Sequence, residues 1–164
     1  MDDRLFLDPL AAPAVPPAAA AQTDTAAPAA APPTGPLHAD VPLAVDRAIE
    51  AFTEYPHLWW PLDLRRTGAE GHVEFTGGAL SEEGTDGTVH EWAQLESVEP
   101  GELVLLWAGR DTDGGAGAPV DVHFDSNNGQ ERTMVTVRTE DGTARQDWES
   151  LLTGFARFTG GTLL

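Results

Sequence analysis

From His72 to Thr139 apolar and polar residues alternate over short stretches, and beyond Ala144 the apolar residues recur every three to four positions. The pattern predicts a series of strands followed by a helix. The strands are expected at His72–Thr76, Ala79–Glu82, Thr88–Val98, Leu103–Ala108, Val120–Asp125 and Arg132–Thr139. Turn residues separate them: Gly77-Gly78, Thr85-Asp86-Gly87, Pro100-Gly101, a glycine-rich stretch from Asp111 to Gly117, and Asn127-Asn128-Gly129. Such short connections predict an antiparallel meander. Ahead of it, His38–Leu43 reads as a further strand, and Val45, Ile49 and Phe52 share one helical face that begins near Asp46. Pro56 interrupts that helix, and His57-Leu58-Trp59-Trp60-Pro61 follows as a short turn. The final helix, Ala144–Thr159, carries Trp148, Leu151, Leu152, Phe155 and Phe158 as an apolar stripe and stops at Gly160-Gly161.

Side chains alternate across a strand, so parity assigns an inner face. It holds Val73 and Phe75; Leu103, Leu105 and Trp107; Val120, Val122 and Phe124; and Val135 and Val137. In the long strand the same rule selects Val89, Glu91, Ala93 and Leu95, which aims Glu91 inward, unless a bulge shifts the parity and leaves it wet or it pairs with an Arg. A carboxylate in apolar surroundings would have a raised pKa and could hold a ligand's polar head or act as acid or base. Trp59 and Trp60 are adjacent on a short connector, so one is expected inside and the other at a rim.

This order of elements resembles the activator of heat-shock protein 90 ATPase homologue-like family, within the SRPBCC (START-like) superfamily. The resemblance rests on Glu74-Phe75-Thr76-Gly77-Gly78, the Asp86-Gly87 turn before the strand of Trp92, and Pro100-Gly101 before the strand ending at Trp107. Trp59-Trp60-Pro61 after the first helix, and Trp148, Leu151-Leu152 and Phe155 in the last one, add to it. It covers about Leu37 to Gly160. It implies an α+β helix-grip fold in which a curved antiparallel sheet wraps a long C-terminal helix and leaves an apolar cavity between them. In that fold Phe75, Glu91, Leu105, Trp107, Phe124, Val135, Trp148, Leu152 and Phe155 would line the cavity, with Trp59, Trp60, Arg65 and Arg66 at its mouth. The implied function is non-catalytic binding of a small hydrophobic ligand. Alternatives are a polyketide cyclase or dehydratase-like enzyme using the same cavity, and a chaperone-associated interaction module with a protein partner.

Composition narrows these options. Residues 1–36 are rich in Ala and Pro, so a disordered tail is expected ahead of a domain spanning 37–164. Within that tail Leu5-Phe6-Leu7 and Leu10 form a small apolar cluster. The formal net charge is −18, and all nine cations are Arg. That balance argues against nucleic acid and anionic membrane surfaces as partners. With no Lys and no Cys, there is no phosphate-loop lysine, Schiff base or thiolate chemistry. The histidines His38, His57, His72, His90 and His123 have no metal-ligand spacing, and Asp111-Thr112-Asp113-Gly114 lacks the later ligands of a calcium loop. No metal or cofactor is expected. The acidic start and the lack of a long apolar run lead to a cytoplasmic expectation.

Overall fold

The computed structural model describes residues 35–110, 117–127 and 131–164. The Ala/Pro tail up to residue 34 with its apolar cluster, the Asp111-Thr112-Asp113-Gly114 stretch, and Asn128-Gly129 lie outside the described residues. Eight strands and three α-helices follow in the order β1 (Leu37–Val41), α1 (Val45–Glu54), α2 (Pro56–Trp59), β2 (His72–Thr76), β3 (Ala79–Glu83), β4 (Val89–Glu99), β5 (Glu102–Trp107), β6 (Ala118–Ser126), β7 (Thr133–Thr139), α3 (Gly142–Thr159) and β8 (Thr162–Leu163). A 3-10 turn at Leu62–Leu64 sits between α2 and β2. The strands form one antiparallel sheet in the order β2-β3-β4-β5-β6-β7-β1-β8. The meander is thus continuous from β2 to β7, and β1 closes onto β7 with Ala39 opposite Val135. The two-residue β8, which hydrophobic patterning did not signal, pairs with β1.

Two chemical devices bound α3. Asp141 accepts the Ala144 N–H through its side chain at 2.7 Å, an N-cap, and Gly160 adopts φ 77°, the left-handed conformation that ends a helix at little cost when no Cβ is present. Between them Ala144, Asp147, Trp148, Leu151, Leu152, Phe155 and Ala156 are buried. Phe158, expected in the buried stripe, is 41% exposed. It is in phase with Leu151, seven residues earlier, but stands in the last turn, two residues before the C-cap Gly160.

The strand parities hold in β2, β5, β6 and β7, where Val73, Leu103, Leu105, Trp107, Val120, Val122, Phe124, Val135 and Val137 are all buried. Strand β4 differs. Its register against β3 shifts between Leu80 and Ser81, so Leu80 faces Ala93 while Ser81 faces Glu91. The extra residue is Trp92, and both Trp92 and Ala93 are buried. A bulge reverses the alternation on one side of itself. Val89 and Glu91 therefore face solvent, and Glu91 accepts a hydrogen bond from the exposed Gln94 at 3.0 Å. The inward orientation expected for Glu91 is corrected on this ground.

Candidate functional site

The space between α3 and the sheet is filled by side chains from the protein itself. Phe52 of α1 lies at its centre, with ring centroids 5.0 Å from Trp59, 5.5 Å from Phe124, 5.3 Å from Phe155 and 6.2 Å from Trp148, the last nearly parallel at 13°. Phe75, half-buried, is 6.5 Å away. Leu105, Trp107, Val135 and Leu152 are buried in the same core. The residues assigned to a cavity wall, Glu91 apart, thus come together, but around the Phe52 ring.

All five tryptophans join this interior in an unbroken series. Trp59 and Trp60 are 6.0 Å apart, Trp60 is 5.2 Å from Trp92, Trp92 stacks on Trp107 at 5.5 Å, and Trp107 is 5.2 Å from Trp148. Both Trp59 and Trp60 are buried, which corrects the expectation that only one could point inward. Trp59 ends α2 and Trp60 is extended, and their rings go to different neighbours, Trp59 to Phe52 and Phe155 and Trp60 to Trp92 and Trp107.

Two buried carboxylates fix the middle of the series. Glu82, fully buried, accepts hydrogen bonds from the backbone N–H of Arg66 and Thr67 at 3.0 Å each, from the Thr67 hydroxyl at 2.7 Å, and from the Trp92 indole at 3.1 Å. Burial raises its pKa, but the backbone donors of Arg66 and Thr67, the Thr67 hydroxyl and the Trp92 indole outweigh it and hold the carboxyl below its ordinary value. Asp147 on α3 accepts from the Trp107 indole at 3.3 Å and from the Arg110 guanidinium at 2.8 Å. Sequence reasoning passed over both, although a signal was present. Glu82 shares strand parity with Leu80, and Asp147 stands on the helical face of Ala144 and Leu151. These carboxylates hold stacked indoles and the loop before β2 in place. Arg65 works on the same loop, donating to the carbonyl oxygens of Gly71 and His57, while Arg66 is exposed.

Open space is found on the other side of α3. A groove of about 930 Å³ runs between its outer face and the connector, lined by Leu58, Trp59, Trp60, Pro61, Leu62 and Asp63 on one side. Glu149, Thr153, Arg157 and Phe158 are among the α3 residues opposite. Leu58 is 56% exposed and Leu62 70%. Gly154 permits the close approach of α2 to α3, since a Cβ there would collide with the Trp59 carbonyl oxygen. Trp60 belongs both to this groove and to the tryptophan series. Its Nε1, buried, has no hydrogen-bond partner among the described residues, and neither has that of Trp148. The other three indoles are satisfied, Trp59 by the Ala51 carbonyl at 3.2 Å. An unpaired buried donor costs about 1 to 3 kcal/mol.

Among the described residues, no group of three or more His, Cys, Asp or Glu is placed to hold a metal ion, and no helix is long and apolar enough to cross a membrane. The rings of His57 and His72 lie 4.8 Å apart, tilted by 33°.

No family model matches the sequence, and no curated protein does either. Solved structures do. A self-sacrificing resistance protein, CalC from Micromonospora echinospora, superposes with a TM-score of 0.58 at 24% identity, covering 78% of this chain and 94% of that one. An HSP90 activator from Plasmodium falciparum gives 0.53 at 16% identity, covering 79% and 98%. The chain has the helix-grip, START-like fold. The resemblance drawn from the strand and turn order is thereby carried over to three dimensions, at the level of the fold. The helix-grip architecture is shared by proteins with different named roles, and it leaves function to the site.

Proposed function

We propose that this helix-grip domain is a non-catalytic binding module for a small hydrophobic ligand, taken in the groove between the connector and the outer face of α3. The observation that carries this reading is the groove itself. Its volume of about 930 Å³ falls at the upper end of the roughly 300 to 1,000 Å³ usual for small-molecule sites, and Leu58, Leu62 and Phe158 stand exposed along it. Their transfer out of water would drive binding. The buried tryptophans behind them give the site a stiff aromatic floor. An enzyme of the cyclase kind would need polar groups converging on the ligand. Glu82 and Asp147 are instead engaged with indoles, a loop and Arg110.

A protein partner is the second reading, favoured by the same exposed apolar residues and by a fold neighbour named as an HSP90 activator. Native mass spectrometry of the full chain, freshly isolated and again after organic extraction, separates the two. A retained small mass, and uptake of the neutral dye Nile red that weakens roughly tenfold in Leu62→Asp, is the expected result. A bare protein that leaves Nile red dark overturns the ligand reading and turns attention to partner proteins.

A further inference from the structure

The charges along the groove select among the small hydrophobic molecules that it could hold. Asp63 lines it from the connector and Glu149 from α3, so each wall carries one carboxylate. Both are exposed, and neither forms an ion pair among the described residues. The cations that could compensate them are placed elsewhere. Arg65 donates to the carbonyl oxygens of Gly71 and His57, and neither it nor Arg66 lines the groove. Arg157 does line it, but on α3 it stands eight residues beyond Glu149, about 12 Å along the axis at about 1.5 Å per residue. That exceeds the screening length of about 8 Å at physiological salt, so the guanidinium leaves Glu149 largely uncompensated. The chain around them has a net charge of −18, whose field attracts cations and repels anions.

Apolar surface shares the same opening, since Leu58, Leu62 and Phe158 stand exposed along it. An ammonium group bound beside exposed carboxylates keeps part of its water, while the hydrocarbon attached to it covers the apolar residues. The charge attraction is then not cancelled by the cost of full desolvation. We infer that the groove takes a cationic amphiphile, with an apolar body against Leu58, Leu62 and Phe158 and a protonated amine drawn to Asp63 and Glu149. This rests on the reading that the groove is the ligand site, and names the ligand's class. Anionic amphiphiles are disfavoured by the same two carboxylates.

A matched pair of probes tests this. Naphthylethylamine, protonated at neutral pH, and naphthylethanol share ring and chain and differ in charge. Each is used to displace Nile red from the full-length protein at physiological salt. The amine is expected to bind about fivefold more tightly, through two exposed charge contacts, and the preference should shrink at about 1 M salt. The double variant Asp63→Asn/Glu149→Gln should bring the two probes to within about twofold of each other. Glu96→Gln/Glu99→Gln removes two exposed carboxylates that do not line the groove, and should keep the preference. All four positions are exposed, so the variants are expected to fold. Equal displacement by both probes in the wild type overturns the charge inference and leaves hydrophobic binding intact. A preference that falls alike in the two double variants also overturns it, because the attraction is then to the net charge and not to Asp63 and Glu149. Nile red that is taken up but displaced by neither probe overturns the inference alone. Nile red left dark, with neither probe detected by calorimetry, overturns it together with the ligand reading. A second copy of the chain, seen by sedimentation, or a partner protein is then the occupant.

Discussion

The two sides of α3 meet opposite fates. Inward, Trp148, Leu151, Leu152 and Phe155 face a space already occupied by Phe52 and the sheet's apolar side chains. Outward, Glu149, Thr153, Arg157 and Phe158 border a groove that the connector only partly covers. One helix thus supports a closed core and an open site. The difference teaches that the region between α3 and the sheet is, in this chain, given to an aromatic side chain from α1. Exposed apolar residues stand instead at the outer side of the same helix.

The most severe way to break this comparison is to hollow the inner side. Phe155→Ala should cost about 3 to 5 kcal/mol in urea unfolding, since the ring is fully buried and its neighbours can collapse only partly. A cost below about 1 kcal/mol would mean that the interior is loosely filled, and would return the ligand site to the sheet side of α3.

Glu82→Ala comes next, at roughly 2 to 4 kcal/mol, because it leaves the Trp92 indole and the donors of Arg66 and Thr67 without an acceptor. Its pH dependence has a defined sign. The folded carboxyl titrates below its unfolded value, so the stability it confers is complete above about pH 5 and is lost as pH falls past the ordinary glutamate value of about 4.3 and through the lower folded one. The difference in Tm between wild type and Glu82→Gln should therefore be flat from about pH 5 to 8 and narrow below about pH 4. A gap that widens on acidification would contradict the hydrogen-bonded, ionised carboxylate.

Gly154→Ala sharpens the comparison at the boundary between the two sides. The added methyl meets the Trp59 carbonyl oxygen, so α2 must shift off α3 at a cost of about 1 to 3 kcal/mol. Nile red affinity should change with it, while Phe155→Ala alters stability far more than dye uptake. The smallest effect on folding belongs to Leu62→Asp, within about 0.5 kcal/mol, because the side chain is largely exposed. On the ligand reading, the same change weakens Nile red by roughly tenfold through the lost apolar contact. Equal dye affinity in wild type and variant would remove Leu62 from the site.

Much of the fold was legible because it depends on local periodicity. The strands β2, β5, β6 and β7 and the body of α3 follow from alternation of period two and recurrence of period 3.6, with Gly and Pro marking the ends. What failed did so where geometry departs from period. Parity alone aims Glu91 inward because no sequence rule places a bulge at Trp92, and Phe158 keeps the phase of the stripe yet is exposed in the last turn of the helix. Glu82 and Asp147 sat on inner faces throughout. Their polarity hid them, because a carboxylate inside a core makes sense only once its donors are known to be there.

The sequence by itself determined which segments extend and which coil, where they end, and that the protein is strongly acidic without thiol or lysine chemistry. These properties live in neighbouring residues and in sums over the chain. Tertiary structure alone decided that Phe52 would occupy the interior, that the rings of Trp92 and Trp107 would each find a carboxylate, and that Trp60 would find none. Those outcomes depend on the meeting of elements far apart along the chain, where volume and hydrogen-bond geometry are settled by packing and leave no trace in local pattern.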